Sequence, residues 1–318
     1  MKKFVLGAAL IFTASSAFAQ MSTSDPHAGH AMEMQQAPQG AGAQGGTPAD
    51  AKRNPDLPPP GDVQGADKNA WAKAQLDSSP RHAEWVDIKA TDGAPIKAFV
   101  VYPERKDKAP VVIVIHEIFG LTDWVRGVAD QLAKDGFIAI APDLLSGMGP
   151  NHGGSQELGE QGSTRAIGAL KDDDKVRLLN DVRAYALTIP ASNKKTATIG
   201  FCWGGGTSFL YALHQPELNA AVSYYGPMPT DASGYADVHP KAPILGLYAG
   251  NDSRVDSGIP LAKTELARLH DTYDPHVFDG AGHGFLRAQG GNPNAPGNLK
   301  ATEEAWPLTL AWLRKYTK

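Results

Sequence analysis

From residue 82 onward the hydrophobic and polar positions of this chain fall into short, regular blocks. Two β-like runs, 84–88 and 96–102, are joined by a link containing Asp92-Gly93, a dipeptide that favours a tight hairpin turn, and are read as antiparallel opening strands. The next block, Ala109-Pro110-Val111-Val112-Ile113-Val114-Ile115, is apolar throughout and too short for a helix. It suits a strand buried on both faces in the middle of a parallel sheet. Helix-like and strand-like segments then alternate: a helix over 123–134, a strand over 137–141, a helix over 173–188, a strand ending at Gly200 and a helical segment over 207–214. Strands over 220–225, 244–249 and 276–278 follow, with helices over 260–270 and 303–316. Such βα repetition implies right-handed crossovers and predicts an α/β domain: a mostly parallel, doubly wound sheet with helices on both faces. Residues 145–169 are Gly-rich without clear periodicity and read as a loop or short cap over the strand ends.

The N-terminal part has a different character. Lys2 and Lys3, an apolar stretch over 4–12 and Ala17-Phe18-Ala19 form a signal-peptide pattern, so residues 1–20 are expected to direct export to the periplasm or beyond. That stretch is too short to span a bilayer and no later segment supplies a longer uncharged run, so no membrane anchor is expected after its removal. Residues 21–75 are rich in Gly, Pro and Ala, cannot bury enough apolar surface to offset ordering, and read as a disordered tether. The domain proper is then 76–318, enough chain for one α/β unit and expected to be a monomer. With 30 basic against 34 acidic residues and a net charge of −4, the chain has no basic field to hold nucleic acid or an anionic membrane. His27, His30, Met32 and Met34 offer soft metal ligands, but no ordered frame fixes them, and they read as part of the tail.

The single cysteine is the most informative residue. Exported proteins usually pair their cysteines, so a lone thiol is either an inert buried group or a reactive one. Cys202 lies in Gly200-Phe201-Cys202-Trp203-Gly204, after a β-branched run and before a helical segment, the strand-turn-helix pattern of a nucleophile elbow with thiol in place of hydroxyl. A thiol nucleophile needs an imidazole to take its proton and a carboxylate to hold the imidazole's tautomer. Asp252 closely follows the strand 244–249, with Asp256 as a rival that fits better near the start of the next helix, and His283 sits in the loop Gly280-Ala281-Gly282-His283-Gly284. Nucleophile, acid, histidine is the chain order of α/β-hydrolases. At the end of the buried strand, Ile118 is placed to offer one oxyanion-hole amide, with Trp203 offering the other. Glu117 beside it faces the crevice at the strand's carboxyl end.

Four motifs, His116-Glu117-Ile118-Phe119-Gly120-Leu121, Ala141-Pro142-Asp143-Leu144, Gly200-Phe201-Cys202-Trp203-Gly204-Gly205 and Ala281-Gly282-His283-Gly284-Phe285, occur in an order that resembles the dienelactone hydrolase family of the α/β-hydrolase fold. The resemblance runs from about residue 80 to the end of the chain. It implies a triad of Cys202, Asp252 and His283, with Glu117 pairing with the thiol and helping to form the thiolate when substrate arrives. It also implies an arginine four residues past the histidine, Arg287, that holds a substrate carboxylate, and a second arginine in the region 162–169, for which Arg165 is the candidate. The expected activity is hydrolysis of a carboxylic ester or enol-lactone, the substrate anionic, through an acyl-thioester and without metal or organic cofactor. A broad-specificity exported esterase or thioesterase, and a non-catalytic binding protein on the same scaffold, are the alternatives.

Overall fold

The computed structural model describes residues 70–236, 238, 242–288 and 296–318. The signal-peptide pattern, the His27, His30, Met32 and Met34 cluster and nearly all of the expected tether lie outside the described residues. Eight strands form one sheet: β1 (Ala83–Ile88), β2 (Ile96–Val101), β3 (Ala109–Ile115), β4 (Ile138–Pro142), β5 (Ser192–Phe201), β6 (Ala220–Tyr224), β7 (Ile244–Ala249) and β8 (Tyr273–Phe278). Their order is β1-β2-β4-β3-β5-β6-β7-β8. The hairpin β1-β2 pairs antiparallel with Ile88 opposite Ile96, β2 pairs antiparallel with β4, and every later pairing is parallel. The expected doubly wound architecture with antiparallel opening strands is therefore the one observed.

β3 shows why a continuous apolar run is needed at the centre. Val112 and Val114 enter the core on one face while Val111, Ile113 and Ile115 enter the core on the other, and all five are fully buried. The first face is covered by α2 (Asp123–Lys134), through Trp124, Val125, Val128, Ala129 and Leu132, and by α9 (Pro296–Tyr316), through Trp306 and Leu313. This spacing places one stripe of α2 on the sheet, while Asp123 in its first turn and Lys134 in its last suit the helix dipole. The second face is covered by α4 (Asp172–Thr188), α5 (Trp203–His214) and α7 (Ile259–Arg268).

Two helices depart from expectation. Residues 145–169 contain α3 (Ser155–Ile167), not a loop alone. Its glycines hide the periodicity, and the helix breaks at Gly159, where φ is 64°. What starts it is tertiary: the Ser155 N–H and hydroxyl donate to the two Asp143 carboxylate oxygens at 2.7 and 2.6 Å, while Glu157 accepts from the Gly154 N–H at 2.7 Å. The other is α1 (Ala70–Ser78), so the expected domain start at residue 76 falls inside a helix. Ala72 and Leu76 of α1 join the core beneath α2, and just beyond it Arg81 pairs with the buried Asp130 at 2.6 Å. No described helix is long and apolar enough to cross a membrane.

The order β4-β3-β5 is the consequential part of the topology. The chain moves from β3 outward to β4 and then returns to the other side of β3 as β5, which opens a crevice beyond the carboxyl ends of β3 and β5. Glu117 follows the first of these strands and Cys202 the second.

Candidate active site

β5 ends at Phe201, and Cys202 follows with φ 54° and ψ −118°, a backbone conformation rare for a residue with a side chain and costing about 1–3 kcal/mol. Its N–H donates to the Tyr224 carbonyl of the neighbouring strand at 3.0 Å, and its carbonyl accepts from Gly206 N–H at 3.1 Å in the first turn of α5. The turn leaves no room for side chains on either flank. A Cβ on Gly200 would stand 1.9 Å from the Gly204 carbonyl oxygen, and one on Gly204 would stand 2.3 Å from the His116 carbonyl oxygen. The elbow expected from the sequence is thus present, and its helix begins at Trp203 rather than at 207 because the glycines are themselves helical.

The sulfur meets opposing influences. The Trp203 N–H and the positive end of α5 favour thiolate, and so does the charge of Arg254. Burial, followed by the negative charge of the Glu117 carboxylate, favours thiol and wins, pushing the Cys202 thiol up to about 12. The resting sulfur is therefore protonated at neutral pH.

Asp252 and His283 are brought together by adjoining loops. The Asn251 N–H donates to the Ala281 carbonyl at 2.9 Å, the Gly282 N–H donates to the Asn298 side-chain oxygen at 2.7 Å, and the Asp252 N–H closes onto Ala249 at 2.8 Å. In this frame the His283 Nδ1–H donates to the buried Asp252 carboxylate at 2.5 Å. That bond places the proton on Nδ1 and leaves Nε2 as the basic nitrogen. The imidazole stands edge-on to the Tyr225 ring at 5.1 Å, one residue past the carbonyl that holds Cys202. Among the described residues no hydrogen bond joins His283 to Cys202. Asp256, the rival carboxylate, lies in the single turn α6 (Ser253–Asp256) and does not touch His283; burial and the Asp252 charge raise its pKa to about 6.

Across the crevice, residues 117–120 form a tight turn closed by Gly120 N–H on the Glu117 carbonyl at 3.1 Å. A Cβ on Gly120 would strike the Ser155 side chain, and Ser155 Oγ accepts the Leu121 N–H at 3.0 Å, so α3 sets the position of this turn. Among the described residues the Ile118 N–H meets no acceptor, leaving it available at the mouth of the crevice. Beneath it lies His116, whose part the sequence did not suggest. Its buried ring donates from Nδ1 to the Glu117 carbonyl at 2.8 Å and accepts the Leu144 N–H on Nε2 at 3.2 Å. Burial lowers its pKa, so it is held neutral as one tautomer, stacked on the Trp203 indole at 5.3 Å. His116 thereby braces both proposed oxyanion donors.

Of the two arginines expected to bind substrate, Arg165 is exposed on α3, next to Thr164, whose hydroxyl donates to the Ile118 carbonyl at 3.5 Å. Arg287 belongs to α8 (Phe285–Ala288), and its side chain lies outside the described residues. Arg254, two residues past Asp252, was not anticipated, although its distance in sequence from a candidate acid could have drawn attention to it. Two cavities of about 770 and 460 Å³ flank the site without including Cys202 or His283, the smaller touching Trp203. Chemistry at Cys202 would thus take place in the crevice at the strand ends. Among the described residues no group of three or more His, Cys, Asp or Glu is placed to hold a metal ion.

Comparison with known proteins agrees with this fold. The sequence profile of the dienelactone hydrolase family matches residues 96–317. A protein named as a carboxymethylenebutenolidase from Saccharolobus solfataricus is 30% identical over 258 residues, covering 72% of this chain and 97% of its own. One so named from Escherichia coli K12 is 30% identical over 236 residues, covering 71% and 84%. A crystal structure named as a dienelactone hydrolase from Klebsiella pneumoniae superposes with a TM-score of 0.63 at 26% identity, covering 74% of this chain and 99% of that one. An acylaminoacyl peptidase structure superposes at a TM-score of 0.57 over 78% of this chain and 44% of that one. At 14% identity it shares the fold alone, the α/β-hydrolase fold.

Proposed function

We propose, from the premise that this chain belongs to the dienelactone hydrolase family and is a hydrolase of small-molecule esters or lactones, that it works through a cysteine nucleophile and an acyl-thioester. The observation that carries the reading is the backbone of Cys202, held at a positive φ with the Trp203 amide against its sulfur, at the strand end adjoining the Asp252–His283 pair. Nothing in packing alone calls for a cysteine in that strained position, whereas presenting a nucleophile does.

The steps follow from the groups present. Binding of an ester excludes water from the crevice, and the sulfur turns to His283, whose Nε2 takes the thiol proton as the S–C bond forms at the carbonyl. The oxyanion that develops is accepted by the Ile118 and Trp203 N–H groups, whose positions His116 fixes. Collapse breaks the C–O bond, and the enolate or alkoxide leaves with the proton from His283. Water then gives its proton to Nε2 while its oxygen attacks the thioester, and the carboxylic acid departs as the proton returns to sulfur. Asp252 keeps Nδ1–H in place throughout and stabilises the transient imidazolium. Glu117 holds the proton on sulfur between turnovers, which ties ionisation to the arrival of substrate. No step uses a metal or organic cofactor.

An enol-lactone bearing a carboxylate is the substrate class we favour, with Arg287 as one binding group, and the N-terminal pattern supports action in the periplasm or outside the cell. Hydrolysis of an enol-lactone and of 4-nitrophenyl butyrate by the wild type, Cys202→Ala and Cys202→Ser tests the reading. Loss of both activities in the alanine variant is expected; retained turnover would show that the sulfur is not the nucleophile.

A further inference from the structure

The larger of the two cavities beside the crevice takes no part in the hydrolase reading. It measures about 770 Å³, within the range of small-molecule sites, roughly 300–1,000 Å³. Phe119 and Leu121, from the turn that carries Ile118, form part of its wall. The β1-β2 hairpin supplies another part, including Trp85, which is 47% exposed on the edge strand.

Thr122 gives this wall an unmet polar group. It stands at the N-cap of α2, where a threonine hydroxyl ordinarily accepts an amide of the first helical turn, yet it makes no such bond. The side chain is only 6% exposed, and its buried hydroxyl meets no partner among the described residues. Burying a hydroxyl without a partner is costly, and a hydrogen-bonding ligand in the cavity relieves that cost.

The charges on the wall narrow the class of ligand. Five carboxylates, among them Asp87 and Glu157, stand against the cations Lys97 and Arg126, an excess that repels an anion. A cation is kept off the indole face, because Lys97 Nζ and the Arg126 guanidinium already stand over the Trp85 ring at 5.4 and 5.5 Å. A neutral ligand remains. It needs a flat apolar face for the open part of Trp85 and hydroxyls for Thr122, His152 and Gln156 on the same wall. A pyranose ring has both.

We propose that this cavity binds a pyranose ring of an oligosaccharide, its C–H face laid on Trp85 and one of its hydroxyls bonded to Thr122. The sugar is either the glycosyl part of an ester hydrolysed in the adjoining crevice or a separate carbohydrate chain. Both present the same chemistry to the cavity.

Isothermal titration calorimetry with cellotetraose, xylotetraose, maltotetraose and chitotetraose tests the site on wild type, Trp85→Ala, Thr122→Val and Cys202→Ala. Saturable binding of at least one probe is expected, weakened at least about 10-fold in Trp85→Ala and roughly 3- to 10-fold in Thr122→Val. The free Thr122→Val protein should melt no lower than wild type, because the hydroxyl it loses is unpaired. Cys202→Ala should bind the sugar as wild type does, so this result is independent of whether that sulfur is the nucleophile. No saturable binding of any probe up to about 10 mM, or equal binding by Trp85→Ala, overturns the proposal. The source is read from hydrolysis of the acetylated form of the bound probe against 4-nitrophenyl acetate. A KM raised in Trp85→Ala for the sugar ester alone identifies the glycosyl part of a substrate, and both activities unchanged despite lost binding identify a separate chain.

Discussion

The Asp252 carboxylate accepts the Nδ1–H of His283 at 2.5 Å, while Asp256, one helical turn further on, makes no contact with that ring. The pair follows from backbone ties between the loops after β7 and β8, Gly250 N–H to the Phe278 carbonyl and Asn251 N–H to the Ala281 carbonyl, both at 2.9 Å, so the imidazole is oriented before any substrate arrives. Replacing Asp252 with Asn reverses the hydrogen-bond preference and favours the wrong tautomer. Steady-state kinetics should show kcat falling about 10²- to 10⁴-fold in Asp252→Asn, against less than about threefold in Asp256→Asn. Comparable losses in the two variants would mean that the carboxylates act as a unit.

The elbow depends on backbone contact that no side chain can share. Gly200→Ala puts a methyl group 1.9 Å from the Gly204 carbonyl oxygen, within a β5-α5 junction whose neighbours are backbone and cannot swing aside. Chemical denaturation should report destabilisation of about 3 kcal/mol, with activity lost even in the folded fraction. A variant as stable as wild type would show that the turn is looser than the coordinates imply.

Glu117 lends itself to a charge test. Its negative charge is second only to burial in raising the Cys202 thiol, so Glu117→Gln should lower the thiol pKa from about 12. More thiolate would then be present at any pH below it. Iodoacetamide should label the resting variant about 3- to 10-fold faster than wild type at pH 8. Slower labelling would place the carboxylate in a different role.

His116 gives a pH dependence of defined sign. Its pKa is lowered in the folded protein by burial, while the unfolded chain returns it to the ordinary value of 6.5. Below that pH the unfolded state binds more protons than the folded state, so the His116 contribution is present in full above about pH 6.5 and is lost as pH falls. Thermal unfolding between pH 7.5 and 5 should therefore show a falling Tm, with a shallower slope in His116→Gln. Equal slopes would mean that the ring is protonated in the fold.

The legible parts of this molecule are those governed by local pattern. The unbroken apolar run of β3 marks a strand buried on both faces, and 109–115 is the observed extent. Gly200 and Gly204 announce an elbow because steric demand there is absolute. α3 escaped because it is nucleated by Asp143, which lies 12 residues before Ser155 in sequence and comes close only in the fold. His116 was passed over beside the more conspicuous Glu117, since only the Glu117 carbonyl and the Leu144 amide, met in the fold, show that both of its nitrogens are committed. The resting separation of Cys202 from His283 is a side-chain arrangement on which sequence spacing is silent.

The central claim is that the Cys202 sulfur carries the acyl group during turnover. Intact-mass spectrometry of the wild type, acid-quenched during turnover of an enol-lactone and followed by peptide mapping, tests it most directly, because acid stops release of a thioester once it has formed. The expected result is a mass increase equal to one acyl group, mapped to Cys202 and absent from Cys202→Ala. Turnover by wild type with no adduct on that cysteine, or an adduct on another residue that persists in Cys202→Ala, would contradict the account.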